Sequence, residues 1–191
     1  MTIHPNPPGA AVPFEVGDDI CTGSVWVGVD SGPLSVDAAM QWAVLPQCGA
    51  IVAFSGVVRE ASDGCVGVES IDYEVYAAAV TPRLFEISRC ALERWPMLGR
   101  IVLRHRCGRV ELGESSVVVV VSSPHRGDAF EAAEFCIDVL KRTVPVWKLE
   151  HSSTESQWVE TGVLIETVAE SARHWDLDHA SSTRTRNRGI S

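Results

Sequence analysis

Five consecutive valines, Val117 to Val121, most constrain what this chain can become, because they run directly through Ser122-Ser123-Pro124-His125-Arg126-Gly127-Asp128 into a helical pattern. An all-valine stretch has no polar side to offer water, so residues 116–122 suit a strand buried on both faces. A buried strand feeding a helix start also presents backbone N–H groups to an anion, and His125 and Arg126 add charge and hydrogen bonds there. A plainer reading has His125 and Asp128 simply capping the helix. At 191 residues and 46% hydrophobic, the chain suits one domain with appendages.

The other elements follow from pattern and punctuation. Strands are expected at residues 24–29, 49–59, 68–76, 100–107 and 144–151, with a short one at 158–160. Ser35 caps a short helix ended by Pro46, and Thr81-Pro82 marks the start of a longer one ended by Pro96. The second long helix covers residues 128–143, and a last short one 167–175. Gly108 and Gly113 mark turns, and residues 60–67 read as a mobile loop. Hairpins mixed with crossover helices give an α+β fold, with helices on one face of a mixed sheet. Residues 1–18, rich in proline, and the polar tail 179–191 are expected to be disordered around a folded unit at 19–178.

Sixteen Lys and Arg against 25 Asp and Glu give a net charge of −9, which disfavours general binding to phosphate backbones. Any anionic ligand must then be held by a local basic cluster. No apolar run reaches the roughly 18–20 residues of a membrane span, and the start lacks the apolar stretch of a signal peptide. The six cysteines form no C-x-x-C pair, which points to reduced thiols in a cytosolic protein and to no zinc site. There is no phosphate-binding glycine loop, no G-x-S-x-G and no H-E-x-x-H. Arg100, Arg104, His105, Arg106 and Arg109 read as solvated or interface residues, split between the two faces of a strand.

Two lysines draw attention. With Phe130 at 0° and about 100° per residue, Ile137, Val144 and Leu140 fall between about −20° and −80°, a core stripe, with Lys141 at its margin near +20°. Partial desolvation there disfavours the ammonium form and suits a nucleophile or base. Taken alone, a snorkelling lysine at a helix C-terminus explains the position more simply. Seven residues on, in Pro145-Val146-Trp147-Lys148, the returning strand brings Lys148 toward Lys141, although a lone strand lysine is ordinarily just exposed. Arg59, at the end of a strand with Gly56, is on its own an ordinary surface residue.

Three segments taken together resemble the large, catalytic subunit of molybdopterin synthase. They are Gly49-Ala-Ile-Val-Ala-Phe-Ser-Gly-Val-Val-Arg59, then Val121-Ser-Ser-Pro-His-Arg126 with Ala129-Phe130-Glu131, then Ile137-Asp138-Val139-Leu140-Lys141 with Pro145-Val146-Trp147-Lys148-Leu149-Glu150. Tyr73-Glu74-Val75-Tyr76, Arg94-Trp95-Pro96 and His105-Arg106-Cys107-Gly108 fit the same pattern in order. The resemblance implies an α/β hammerhead fold with a small antiparallel β subdomain, and a homodimer flanked by two small ubiquitin-like sulphur-carrier subunits. It implies that a carrier's C-terminal Gly-Gly thiocarboxylate enters a pocket and that sulphur passes to cyclic pyranopterin monophosphate, making the dithiolene of molybdopterin. It assigns catalysis to Lys141 and Lys148, and pterin and phosphate binding to Arg59, His125 and Arg126. Val57, Val58, Leu149 and Glu150 would line the same site.

Two positions depart from the family pattern: Val57 and Leu149 stand where basic side chains occur in relatives, which removes potential anion contacts. No metal or redox cofactor is required by these residues, and neither nucleic acid nor membrane is an expected partner. A noncatalytic docking module for a ubiquitin-like tail is the main alternative. A phosphate-binding enzyme using the His125-Arg126 helix start is a second, although it lacks a paired carboxylate site for magnesium.

Overall fold

The computed structural model describes residues 19–62, 65–153, 155–159 and 165–186. The proline-rich start, Glu160 and the last five residues, for which sequence expectations were given, lie outside it. In chain order the strands are β1 (Ile20–Cys21), β2 (Val25–Asp30), β3 (Ala50–Val57), β4 (Ala61–Ser62), β5 (Cys65–Val66), β6 (Val68–Val75), β7 (Ile101–Arg106), β8 (Gly108–Glu111), β9 (Ser115–Ser123), β10 (Val146–Ser152) and β11 (Ser156–Trp158). The helices are α1 (Val36–Ala43), α2 (Ala77–Arg94), α3 (Arg126–Thr143) and α4 (Val168–Arg186).

The valine run is β9, flanked by β7 and β3 in a mixed five-stranded sheet of order β1-β2-β7-β9-β3. Only the β2–β7 pair is parallel. Alternation sends Val117, Val119 and Val121 to one face, where they pack with Val27, Leu103, Leu84 and Phe135 beneath α2 and α3. Val118 and Val120 go to the other face, with Val102, Ala39 and Ala43 beneath α1. Helices therefore cover both faces, not one as the sequence suggested. The short α1, whose Ser35 cap accepts from the Ala38 N–H at 3.1 Å, supplies the second cover that the all-valine strand demands.

A second sheet, β11-β10-β6-β8, is wholly antiparallel. Its inner face carries Ile71, Tyr73 and Val110, packed with Val58 and Val68. On its outer face the His151 ring joins three strands, with Nε2 2.7 Å from Asp72 and Nδ1 2.7 Å from Ser156. Among the described residues this α+β arrangement of two larger sheets, a two-stranded β4–β5 ribbon and four helices is the hammerhead architecture expected. Gly108 and Gly113, with φ of 76° and 83°, make the turns the sequence marked.

Several local expectations change. In the stretch read as a mobile loop, β4 and β5 pair antiparallel, Ala61 with Val66 and Ser62 with Cys65. α2 begins at Ala77, not at Pro82, which lies inside it. The Ala-Ala-Ala-Val run is itself helix-forming, and a proline this near the N-terminus removes one early backbone bond without breaking the helix. α4 runs on to Arg186, through the first part of the stretch read as a disordered tail. Trp175 anchors it against Trp95 and Phe135, and Arg142 pairs with Asp178 at 3.1 Å. Arg104, His105 and Arg106 are buried, not solvated. The Arg104 guanidinium is held by Asp30 at 2.6 Å and by Asp19, and Arg106 by Glu114 at 2.7 Å. Burial of these charges is tolerated because each has a carboxylate partner.

Candidate active site

The helix that carries the candidate residues is rotated from the sequence expectation. Phe130 is 62% exposed, and the buried face of α3 is Ala129, Ala132, Ala133, Phe135, Cys136, Ile137, Val139, Leu140 and Thr143. Its centre lies about 120° from Phe130. Ile137 and Leu140 are buried as expected, but the alanines decide the orientation, because only small residues let the helix sit close on β9 and β3. Lys141 consequently stands exposed at the last turn, not at the edge of the core.

The β10 strand leaves α3 after Val144 and returns along β6, placing Lys148 directly opposite Tyr73. Lys148, not Lys141, is the desolvated lysine. Burial is the largest cause holding its ammonium below the ordinary lysine value, the Lys141 and Arg59 charges add to it, and Glu150 opposes them. The Lys141 and Arg59 charges are thus both felt at Lys148. Val58 beside Arg59 is 2% exposed and forms part of the floor with Tyr73, whereas Val57 is exposed.

Glu150 is buried on the same strand face as Lys148. Strand alternation sends Leu149 to the opposite face, in register with Asp72 and Trp158. Leu149 thus does not line the lysine pocket of its own chain, and a basic residue at that position would not have faced Lys148 either.

His125 and Arg126 lie elsewhere. With Gly49, Ala50, Pro124 and Gly127 they line an open depression of about 470 Å³ at the N-terminus of α3. His125 occupies the cap position but makes no side-chain capping bond, so the first-turn N–H groups remain open to an anion. β3 and β9 are antiparallel, with Ala50 beside Ser123 and Val57 beside Ser115. Arg59 therefore sits at the opposite end of the sheet from His125, roughly 25 Å away at strand spacing. Arg126 and Lys141 are separated by about 22 Å of helix. The candidate residues thus fall into two groups, Arg59, Lys141 and Lys148 in one and His125 and Arg126 in the other, and one chain does not bring the two groups together.

Sequence reasoning did not single out what lies under Lys148. His105, from β7, packs edge-on against Tyr73 with ring centres 5.4 Å apart, and its Nδ1 contacts the Arg106 carbonyl at 2.7 Å. Burial pushes its imidazole down from 6.5 to about 4, against the pull of that carbonyl and with the help of the Lys148 charge. The signal available was alternation: His105 is three-in-a-row with Ile101 and Leu103 on the core face of β7.

Between pH 6.5 and 5 the unfolded chain binds a proton on His105 that the folded chain excludes, so stability falls as pH falls, by roughly 2 kcal/mol across that window. Urea unfolding at the two pH values should show this loss, and His105→Gln should shrink it. An unchanged pH dependence in the variant would place the loss on another group.

A desolvated lysine under the influence of two further cationic side chains, on an α+β frame, gives this sheet edge the character of an enzyme site. Comparison with known proteins gives the family. Residues 29–143 match the family described as MoaE protein. The chain is 36% identical over 135 residues to the molybdopterin synthase catalytic subunit of Taeniopygia guttata, covering 71% of this chain and 86% of that protein. It is 41% identical over 128 residues to molybdopterin synthase catalytic subunit 1 of Mycobacterium tuberculosis, covering 66% and 85%. Among solved structures, molybdopterin synthase from Staphylococcus aureus superposes with a TM-score of 0.65 at 32% identity, covering 69% of this chain and 94% of that one. The chain belongs to the family of molybdopterin synthase catalytic subunits.

Proposed function

We propose that this chain transfers sulphur from the C-terminal thiocarboxylate of a small ubiquitin-like carrier to cyclic pyranopterin monophosphate, forming the dithiolene of molybdopterin. The observation that carries the reading is the desolvated Lys148, on the same strand face as Tyr73 and under the charges of Lys141 and Arg59. A thiocarboxylate tail and a phosphorylated pterin are both anions, and this cluster offers three cationic groups to them. Lys148, whose ammonium form burial disfavours, suits proton transfer, and Lys141 and Arg59 suit stabilisation of a developing oxyanion. Docking of a tail alone would leave the depressed Lys148 without a task.

His125 and Arg126 are proposed to hold the substrate's phosphate and pterin at the open N-terminus of α3. Because they lie more than 20 Å from Lys141 along one helix, a substrate that touches both clusters needs a second copy of the chain. The proposed active form is therefore a homodimer in which each pocket combines one chain's lysines with its partner's helix start, with a carrier bound to each copy. Among the described residues no helix is long and apolar enough to cross a membrane, and the proposed setting is the cytosol. The test is reconstitution with a thiocarboxylated carrier and the pterin precursor. Dithiolene formation that requires this chain is expected, and carrier binding without any dithiolene would leave only a docking role.

A further inference from the structure

Glu134 and Asp138 stand one turn apart on α3, so their carboxylates project from one side of that helix. His179 meets them from α4, in the stretch read from sequence as a disordered tail. Each of the three offers a ligand atom, and these atoms lie within 4.8 Å of one another. The imidazole is held from two sides. Its ring stacks on Trp175, one turn earlier in α4, with centres 3.8 Å apart and planes 18° from parallel. Its Nδ1 lies 2.9 Å from the Trp175 carbonyl. A carbonyl only accepts, so Nδ1 carries the proton, and in the neutral ring Nε2 keeps its lone pair. Nε2 lies 3.7 Å from Glu134 Oε1. Three acceptors thus converge on one point. A proton on Nε2 would serve one carboxylate, whereas a divalent ion serves both. Among the described residues neither carboxylate has a lysine or arginine partner, and Arg142, one turn beyond Asp138, is taken by Asp178 at 3.1 Å.

We propose that Glu134, Asp138 and His179 bind a divalent first-row metal ion of the zinc type, which clamps α4 onto α3. Imidazole nitrogen with carboxylate oxygen suits Zn²⁺ and its neighbours, whereas Ca²⁺ and Mg²⁺ take oxygen ligands alone. Three protein ligands leave a fourth position for water. Ligands about 2.0–2.2 Å from a tetrahedral ion lie about 3.3–3.6 Å from each other, so the His179–Glu134 pair already stands close to the separation required. A rotation of the carboxylate side chains closes the rest. Two carboxylates and a neutral imidazole also balance the charge of a dication. The Nδ1 bond to a backbone carbonyl is the outer contact that metal-ligating histidines ordinarily make, and it fixes both tautomer and ring. No cysteine takes part, so cysteine spacing could not reveal the site. Trp175 seats α4 in the core, and His179 lies one turn further out, so the metal lengthens the docked part of α4. Asp138 lies less than one turn before Lys141, so the clamp also steadies the end of α3 that carries this lysine.

The site is independent of the sulphur-transfer reading, and its test needs no substrate. The full-length protein is titrated with Co²⁺, whose visible absorption reports its ligands, and with Zn²⁺ in a calorimeter. One ion per chain is expected, with d–d bands and without the sulphur-to-metal charge-transfer band that thiolates produce. His179→Gln, Glu134→Gln and Asp138→Asn should each weaken binding by on the order of 10- to 100-fold or more, since loss of a ligand costs at least as much as loss of an outer contact. Glu134→Gln leaves the Trp175–His179 stack in place, so its loss of affinity does not come from a displaced α4. Zn²⁺ should also slow amide hydrogen exchange at residues 175–179 of the native protein and leave His179→Gln unaffected. A native protein that takes up neither ion at millimolar concentration would overturn the proposal. Uptake that is equal in the native protein and all three variants, or that shows the thiolate band, would place the metal elsewhere and overturn it as well.

Discussion

Lys148→Ala lowers single-turnover sulphur transfer at saturating carrier by on the order of 10²-fold, the loss expected when a positioned proton-transfer group or charge stabiliser is removed. Lys148 is the lysine that burial and two neighbouring cations hold below its ordinary value. Lys141→Ala should also cost rate far more than carrier binding, because it strips the pocket of a charge without touching the core. Lys141 is exposed and Lys148 only half-buried, so neither change should lower the thermal unfolding temperature appreciably. Near-normal rates in both folded variants would reduce the two lysines to ordinary surface residues.

The second large effect is a recovery. Lys148→Ala and Arg126→Ala proteins should each be nearly inactive alone, yet active when their subunits are mixed and allowed to exchange. If the two cationic clusters meet across a symmetric dimer, a mixed dimer has one pocket with both defects and one with neither. Random exchange then restores about a quarter of the native rate. Pockets built within one chain would leave every site of the mixture with a defect and restore nothing. A protein that sediments only as a monomer would exclude the arrangement outright.

The main frame of this molecule is legible in its sequence because its strongest signals are local. The valine run can only be a strand covered on both sides, and Ser35, Pro46 and Pro96 punctuate the helices they bound. The site is legible as a set of residues but not as a place. Arg59, His125 and Arg126 all stand beside the end of an element, and the resemblance assigns all three to one ligand. The antiparallel pairing of β3 with β9 sends Arg59 to one end of the sheet and the other two to the opposite end. Register of this kind is a long-range fact that no window of the chain contains. The rotation of α3 escaped for another reason. Phe130 is the large apolar residue a pattern search anchors on, while the true contact face is made of alanines whose importance lies in what they leave out. Leu149 shows the reverse case: period-2 alternation alone separates it from Lys148 and Glu150.

That alanine face makes α3 a beam carrying a functional load at each end. Ala129, Ala132, Ala133 and Cys136 set its distance from the sheet, and Arg126 and Lys141 ride on its two tips. Enlarging Ala132 or Ala133 would force the helix outward at a cost of typically 1–3 kcal/mol. An 18-residue helix tilts as a unit more readily than it bends in the middle, so the displacement reaches both tips at once. A substitution remote from every cation would then disturb two pockets through one pivot.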